Sequence, residues 1–262
     1  IYQRVDHEQN SISRQDAHGG RLLKKKMKAV KSLEKRLDRE HSEITEIPDS
    51  EDAIMIKFSE RVQVPAGKTV LEFSLPKLSI NGEKLAGNIN LTVRGAEHIC
   101  ITGRNGIGKT TLLKQIAGEL LGKSDIKAAY MPQDYEESMD TEITPVDFLT
   151  GGSGDKAEIT RAKTFLGSMK YTADECGHRV AELSGGQKAK LFFLKMIIDE
   201  NNVLILDEPT RNFSPLSNPV IREVLRDFGG VIISVSHDRK YISEICEKVY
   251  RLEEDGLRLQ TE

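Results

Sequence analysis

Between residues 21 and 39 the apolar positions are Leu23, Met27, Val30, Leu33 and Leu37, in steps of four, three, three and four. This is the period of one helical face, so the stretch predicts an amphipathic helix whose other face is basic. His41 to Asp52 is polar, contains Pro48 and predicts a linker. Short apolar runs follow at 53–58, 71–80, 89–93 and 98–103, punctuated by Gly67, Gly82, Gly87 and Gly95, and predict strands. Beyond Gly103 the pattern alternates. It predicts helix at 110–121, strand at 126–131, a mostly helical stretch at 145–182, a strong helix at 187–200 and a buried strand at 202–207. Helix at 219–228, strand at 230–236, helix at 241–247 and a hairpin through Asp255 and Gly256 complete the order. Continuous apolar strands between helices indicate an α/β fold with a parallel sheet covered on both faces.

Composition changes this picture in three ways. With 262 residues, 38% apolar and 30% charged, the chain can bury a sizeable core as one large domain with an appendage. No apolar run approaches the roughly 20 residues of a membrane span, and the polar opening lacks a signal peptide's apolar segment. Cys100, Cys176 and Cys246 are widely separated, without C-x-x-C spacing, and read as reduced thiols of a cytoplasmic protein. The net charge of -3 is unevenly spread: residues 1–40 hold eleven Lys or Arg against six Asp or Glu, +5, leaving -8 for the rest. A helix packed on a partner helix and a basic face for nucleic-acid phosphates are both open readings of the amphipathic helix at 21–39. The chain opens on Ile1, which suggests a piece of a longer protein.

Candidate chemistry sits where strands give way to helices. GRNGIGKT, Gly103 to Thr110, follows the strand HICIT and opens a helix, matching G-x-x-x-x-G-K-[ST] in the required context. Its glycines let backbone N–H groups converge on phosphate oxygens, Lys109 reaches the β and γ phosphates, and the Thr110 hydroxyl ligates Mg²⁺. VLIL followed by Asp207 and Glu208 sets two carboxylates at the carboxyl end of a buried strand, where α/β sheets bind ligands. Asp207 suits a water-mediated hold on Mg²⁺, and Glu208 suits the polarising of an attacking water. LSGGQ, Leu183 to Gln187, lies 23 residues ahead of Asp207, counted from Ser184, and opens the strong helix. Ser184, Gly185 and Gly186 there make a second anion-binding helix start. One nucleotide rarely needs two, so this one caps a phosphate held by a different domain.

The set resembles the ATP-binding cassette (ABC) ATPases. The matching residues are GRNGIGKTT (Gly103, Arg104, Asn105, Gly106, Ile107, Gly108, Lys109, Thr110, Thr111), Gln133 in YMPQD, LSGGQ with Ser184, Gly185, Gly186 and Gln187, LILDEPT at 204–210, and His237 in SVSHDR. They stand in the family's order over roughly residues 70–245. The resemblance implies a P-loop NTPase fold with a RecA-like parallel sheet, an antiparallel β subdomain and a helical subdomain at about 134–186. It implies MgATP bound between two cassettes, each loop facing the other's signature. Gln133 would touch Mg²⁺ and the water, Glu208 would be the base, and His237 would hold the γ-phosphate.

Two stretches depart from the family pattern. The position of the aromatic residue that stacks on adenine in many cassettes falls near Ile80, which implies apolar contact and looser base specificity. After the acidic pair, Arg211-Asn212-Phe213-Ser214 replaces the family's N-H-L-D continuation, in a loop through which two sites communicate. The basic arm, the short helical subdomain and the wording of residues 13–32 resemble the ABC-F branch, soluble tandem cassettes acting on the ribosome as translation or antibiotic-resistance factors. On that reading residues 1–45 end the linker helix between two cassettes, and residues 46–262 form the ATP-binding domain. Its partners would be a second cassette, in the same parent chain or as a homodimer, and ribosomal or transfer RNA. The nucleotide-binding subunit of an ABC transporter is the alternative, and an interaction module with a degenerate site is a third reading.

Overall fold

In a computed structural model, residues 56–135, 138–215 and 217–260 are described. They belong to the unit Ala53–Glu262. The arm at 1–45 and its linker lie outside the described residues.

Strands β1 (Thr69–Ile80) and β2 (Glu83–Arg94) form an antiparallel hairpin with Leu71 opposite Val93, Leu75 opposite Ile89 and Ile80 opposite Glu83. Its tip is Asn81-Gly82, both left-handed at φ 50° and 86°, the geometry that a two-residue turn between right-twisted strands requires. Ile89, Leu91 and Val93 are buried while Asn90 and Thr92 are exposed, so one face of the ribbon covers the core.

Next come β3 (His98–Thr102), α1 (Lys109–Leu121), β4 (Ala128–Met131), α2 (Pro145–Thr150), α3 (Lys156–Ser168) and α4 (Gly185–Ile198). Then β5 (Val203–Asp207), α5 (Ser217–Arg226), β6 (Val231–Val235), α6 (Arg239–Ile245), β7 (Lys248–Glu253) and β8 (Gly256–Leu259) complete the order. Six strands make one sheet in the order β4-β5-β6-β3-β7-β8, parallel except for β8. All five residues of β5 and of β6 are buried, as a sheet covered on both faces requires. The two-residue alternation divides them. Val203 and Ile205 face α1 residues Leu112 and Ile116 and the hairpin, whereas Leu204 and Leu206 face Phe193, Leu194, Ile221 and Tyr241.

Of the expected strand at 53–58, residues 53–55 lie outside the described residues, and Ile56 to Phe58 have no regular structure, a correction to that part. Ile56 is fully buried, and Phe58 packs on Phe193 and Phe228 with ring centroids 6.0 and 4.4 Å away. Alternating apolar residues there anchor a loop on the core rather than building a ladder. The helical stretch at 145–182 is two helices separated by Gly151 and Gly152, both left-handed, followed by short 3₁₀ turns at Glu175–Gly177 and Val180–Glu182. The helix expected at 187–200 starts two residues earlier, because Ser184 caps it. All three cysteines are free thiols.

Candidate functional site

The loop Gly103–Gly108 leaves the end of β3 and turns directly into α1. Gly103 (φ 149°), Gly106 (φ 80°) and Gly108 (φ 98°) adopt backbone that L side chains avoid. At Gly103 an added Cβ would stand 2.8 Å from the Leu252 carbonyl, so the site demands glycine twice over. At Gly108 the Cβ would meet Leu85 at 2.8 Å and Leu78 at 3.0 Å, which places the hairpin against the loop. Ile80, by contrast, is 42% exposed near the hairpin tip. Leu78 and Leu85 are apolar side chains next to the loop.

Lys109 is buried beneath the loop, and its Nζ donates to the carbonyls of Gly103 (3.0 Å) and Arg104 (3.1 Å). Burial lowers its pKa, and the nearby Glu208 and Asp207 carboxylates pull it back up. Thr110 and Thr111, both partly buried, open the first turn of α1, where free N–H groups and the macrodipole favour anions. Ile107 is buried, whereas Asn105 and Gly106 are exposed. Arg104 turns outward to Glu254 (2.6 Å) in the β7–β8 turn.

Asp207 ends β5 at 1% exposure. Neither carboxylate oxygen has a hydrogen-bond partner at good geometry among the described residues. Burial raises its pKa above the ordinary aspartate value, opposed by the Thr110 hydroxyl and the charges of Lys114, Lys109 and Arg211. An orphaned buried carboxylate is costly and calls for an explanation such as an ion. The donors around it, a hydroxyl and a carboxylate, are all oxygen and suit Mg²⁺. No cluster of three or more His, Cys, Asp or Glu side chains occurs among the described residues. An ion held here would therefore complete its shell with phosphate and water oxygens, as Mg²⁺ does.

Glu208 follows with a left-handed φ of 52°, which turns its side chain away from the direction of Asp207. Its N–H donates to Val235 (2.9 Å), and its Oε2 accepts from the backbone N–H of His237 (3.3 Å). The His237 Nε2 stands 3.8 Å from Oε1 on a half-exposed ring. Burial raises the Glu208 pKa, opposed chiefly by the His237 backbone and ring. A carboxylate so tuned and aimed at a cleft is a general-base candidate. Thr210 fastens the same loop by donating to Asp238 (3.0 Å), the N-cap of α6.

Ser184 and Gln187 form a reciprocal capping box: Ser184 Oγ accepts from the Gln187 N–H, and Gln187 Oε1 accepts from the Ser184 N–H. The Gln187 amide also donates to Glu175 (2.6 Å), so its side chain is committed to the turn. Gly185 has open space where a Cβ would be, but at Gly186 a Cβ would lie 3.1 Å from the Asn212 carbonyl. Gln133 is exposed and shares a cleft of about 660 Å³ with Tyr135, Leu183, Gly185, Lys188, Arg211 and Asn212. No hydrogen bond joins Gln133 to Asp207 among the described residues.

The structure thus brings Lys109, Thr110, Asp207, Glu208 and His237 to one end of the sheet. It places Ser184–Gln187 with Gln133 on a neighbouring cleft. Asn212 is the contact the sequence reading missed, its carbonyl lying against Gly186. The departure at 211–214 was its only sign. Ser214 acts locally, its Oγ accepting from the Ser217 N–H (3.2 Å) at the start of α5.

Residues 86–211 match a protein-family model described as ABC transporter. The chain is 31% identical over 235 residues to ABC transporter F family member 2 of Arabidopsis thaliana, covering 86% of this chain and 34% of that protein. It is 31% identical over 202 residues to the ATP-binding protein Uup of Haemophilus influenzae, covering 73% and 31%. The chain spans about a third of the length of these curated relatives. Among solved structures, the ATP-binding cassette MJ0796, a dimer in a post-hydrolysis state bound to ADP and phosphate, superposes with a TM-score of 0.61. That match is 18% identical over 74% of this chain and 98% of that one, and it shows the fold.

Proposed function

Since the chain belongs to the ABC family of ATP-binding cassettes, with relatives in its F branch, we propose that it binds MgATP and hydrolyses it as one half of a two-cassette sandwich. The observation that carries this reading is Asp207, buried and orphaned beside Lys109 and Thr110, with Glu208 held next to it by His237. Lys109 and the loop N–H groups hold the phosphates, Thr110 and Asp207 hold Mg²⁺ with Gln133 added, and His237 holds the γ-phosphate. Bound Mg²⁺ neutralises charge developing on the phosphate oxygens. Glu208 accepts the proton of the attacking water, which its raised pKa favours near neutral pH. Ser184 and Gly185 are exposed and, with the partly buried Gly186, meet the nucleotide of a second cassette on this reading.

Residues 1–45 are, on this reading, the end of a linker helix between cassettes, and the parent protein is a cytoplasmic ABC-F factor acting on the ribosome in translation or antibiotic protection. Relatives carrying F-family names support that assignment. Among the described residues no helix is long and apolar enough to cross a membrane. The Glu208→Gln variant tests the base: nucleotide binding persists and phosphate release falls by at least about 100-fold. Unchanged release removes Glu208 from that role. Ribosome binding that weakens steeply with salt supports the arm as an RNA contact, and salt-insensitive binding contradicts it.

A further inference from the structure

Glu208 and His237 lie 29 residues apart, just past the ends of the neighbouring strands β5 and β6. Their approach therefore depends on whatever ties the two following loops together. The Glu208 N–H, donating to Val235 (2.9 Å), extends the strand ladder and fixes backbone alone. The bond from the His237 N–H to Glu208 Oε2 is long at 3.3 Å and ends on a flexible side chain. A further bond joins two side chains beyond the site: Thr210 Oγ1 donates to Asp238 Oδ2 at 3.0 Å, and Thr210 is only 6% exposed.

The backbone shows what that bond restrains. Glu208 sits in left-handed backbone (φ 52°), which residues with a Cβ avoid and which persists only where the surroundings over-determine it. The Arg211 N–H closes a turn onto the Glu208 carbonyl (3.1 Å), with Thr210 inside it, so a hold on Thr210 is a hold on the turn. Asp238 is itself firmly placed. Its Oδ1 caps α6 by accepting from the N–H groups of Lys240 (2.9 Å) and Tyr241 (3.3 Å), and its own N–H donates to Oγ of the fully buried Ser236 (3.1 Å). His237 stands between these two fixed residues. The cap uses Oδ1 and leaves Oδ2 over, and a buried threonine from the other loop comes to that oxygen rather than water.

We propose that Thr210 and Asp238 are a positioning pair for hydrolysis: their bond locks the turn that holds Glu208 in strained backbone to the turn that presents His237. This rests on the reading of Glu208 as the base and His237 as the γ-phosphate contact. Neither Thr210 nor Asp238 meets the nucleotide on that reading, so loss of the bond lowers turnover and spares affinity. Thr210→Val removes the hydroxyl at nearly the same shape, and Thr210→Ser keeps it. Asp238→Ser keeps a helix cap with a side chain too short to reach Thr210.

Phosphate release by the whole chain, measured against MgATP concentration well below each variant's melting temperature, tests the pair. Thr210→Val should lower kcat about tenfold or more with KM within about twofold of wild type, as a misplaced reacting group does. Thr210→Ser should restore kcat to within about twofold of wild type. Asp238→Ser should lower kcat as far as Thr210→Val, and the double variant should fall no further, because both changes remove one bond. A bond that only stabilises the fold would shift the melting temperature and leave kcat unchanged, and that result overturns the proposal. A change confined to KM, or losses that multiply in the double variant, also overturn it. If Thr210→Val melts too early to assay, Asp238→Ser with wild-type kcat overturns the proposal, and a low kcat beside a normal Thr210→Ser supports it. Glu208→Gln separates the two readings. Full release in that variant removes the base and the pair together, whereas loss there with Thr210→Val unchanged removes only the pair.

Discussion

Two turns in this protein open helices with glycine, yet they solve different problems. At Gly103–Gly108 the glycines are forced, by left-handed backbone and by Leu252, Leu78 and Leu85 lying where side chains would go. A lysine is folded beneath them, and an orphaned carboxylate lies beside the helix start. At Ser184–Gln187 the backbone is ordinary, the capping box satisfies the turn internally, and Gly185 looks onto open space. On the proposed reading the first turn is a phosphate cradle complete within the chain. The second is finished as structure, and on the same reading it is a half-site offered to another cassette.

Substitutions can break this comparison. The largest effect belongs to Gly103→Ala, which should cost about 1–3 kcal/mol of stability and abolish nucleotide binding, read by thermal melting and isothermal titration. Full binding with an unshifted melt would deny the loop its cradle. Gly185→Ala should leave melting and nucleotide affinity unchanged or slightly higher, because Ala is favoured over Gly in a helix. Its phosphate release should fall several-fold, because the methyl group crowds the other cassette's phosphate. Normal release would contradict the outward half-site. Ser184→Ala should cost about 1 kcal/mol through the lost cap, a small shift in melting temperature.

The smallest effect concerns pH. Asp207 and Glu208 both have raised pKa values, so the folded chain holds their protons more tightly than the unfolded one. Their contribution to stability is therefore full below the ordinary carboxylate range and lost as pH rises through the raised values. Asp207→Asn should melt higher than wild type at pH 7 while losing Mg²⁺-dependent nucleotide binding. That gap should close as pH falls through the carboxylate range. A variant that melts lower at pH 7 would mean the carboxylate is paired after all.

Sequence alone exposed most of this contrast for physical reasons. Continuous apolar runs such as VLILD read as buried strands because parallel strands need apolar residues on both faces, and β5 and β6 have them. The turn at Gly103–Gly108 was legible because its pattern is local, strand to glycine turn to helix within about a dozen residues. Ile56 and Phe58 misled because period-two apolarity does not distinguish a strand from an extended loop anchored on Phe193 and Phe228. The approach of Asn212 to Gly186 was hidden, since the two are 26 positions apart and only tertiary packing joins them. Likewise Gln187 carried no visible sign that Glu175 would engage its amide.

The contrast between a complete cradle and a half-site is tested most directly by sedimentation velocity of the Glu208→Gln chain at saturating MgATP. The account predicts that nucleotide drives two cassettes together, so that the chain sediments as a pair with MgATP and as a single copy without it. A chain that binds MgATP to saturation and still sediments as a single copy would contradict it.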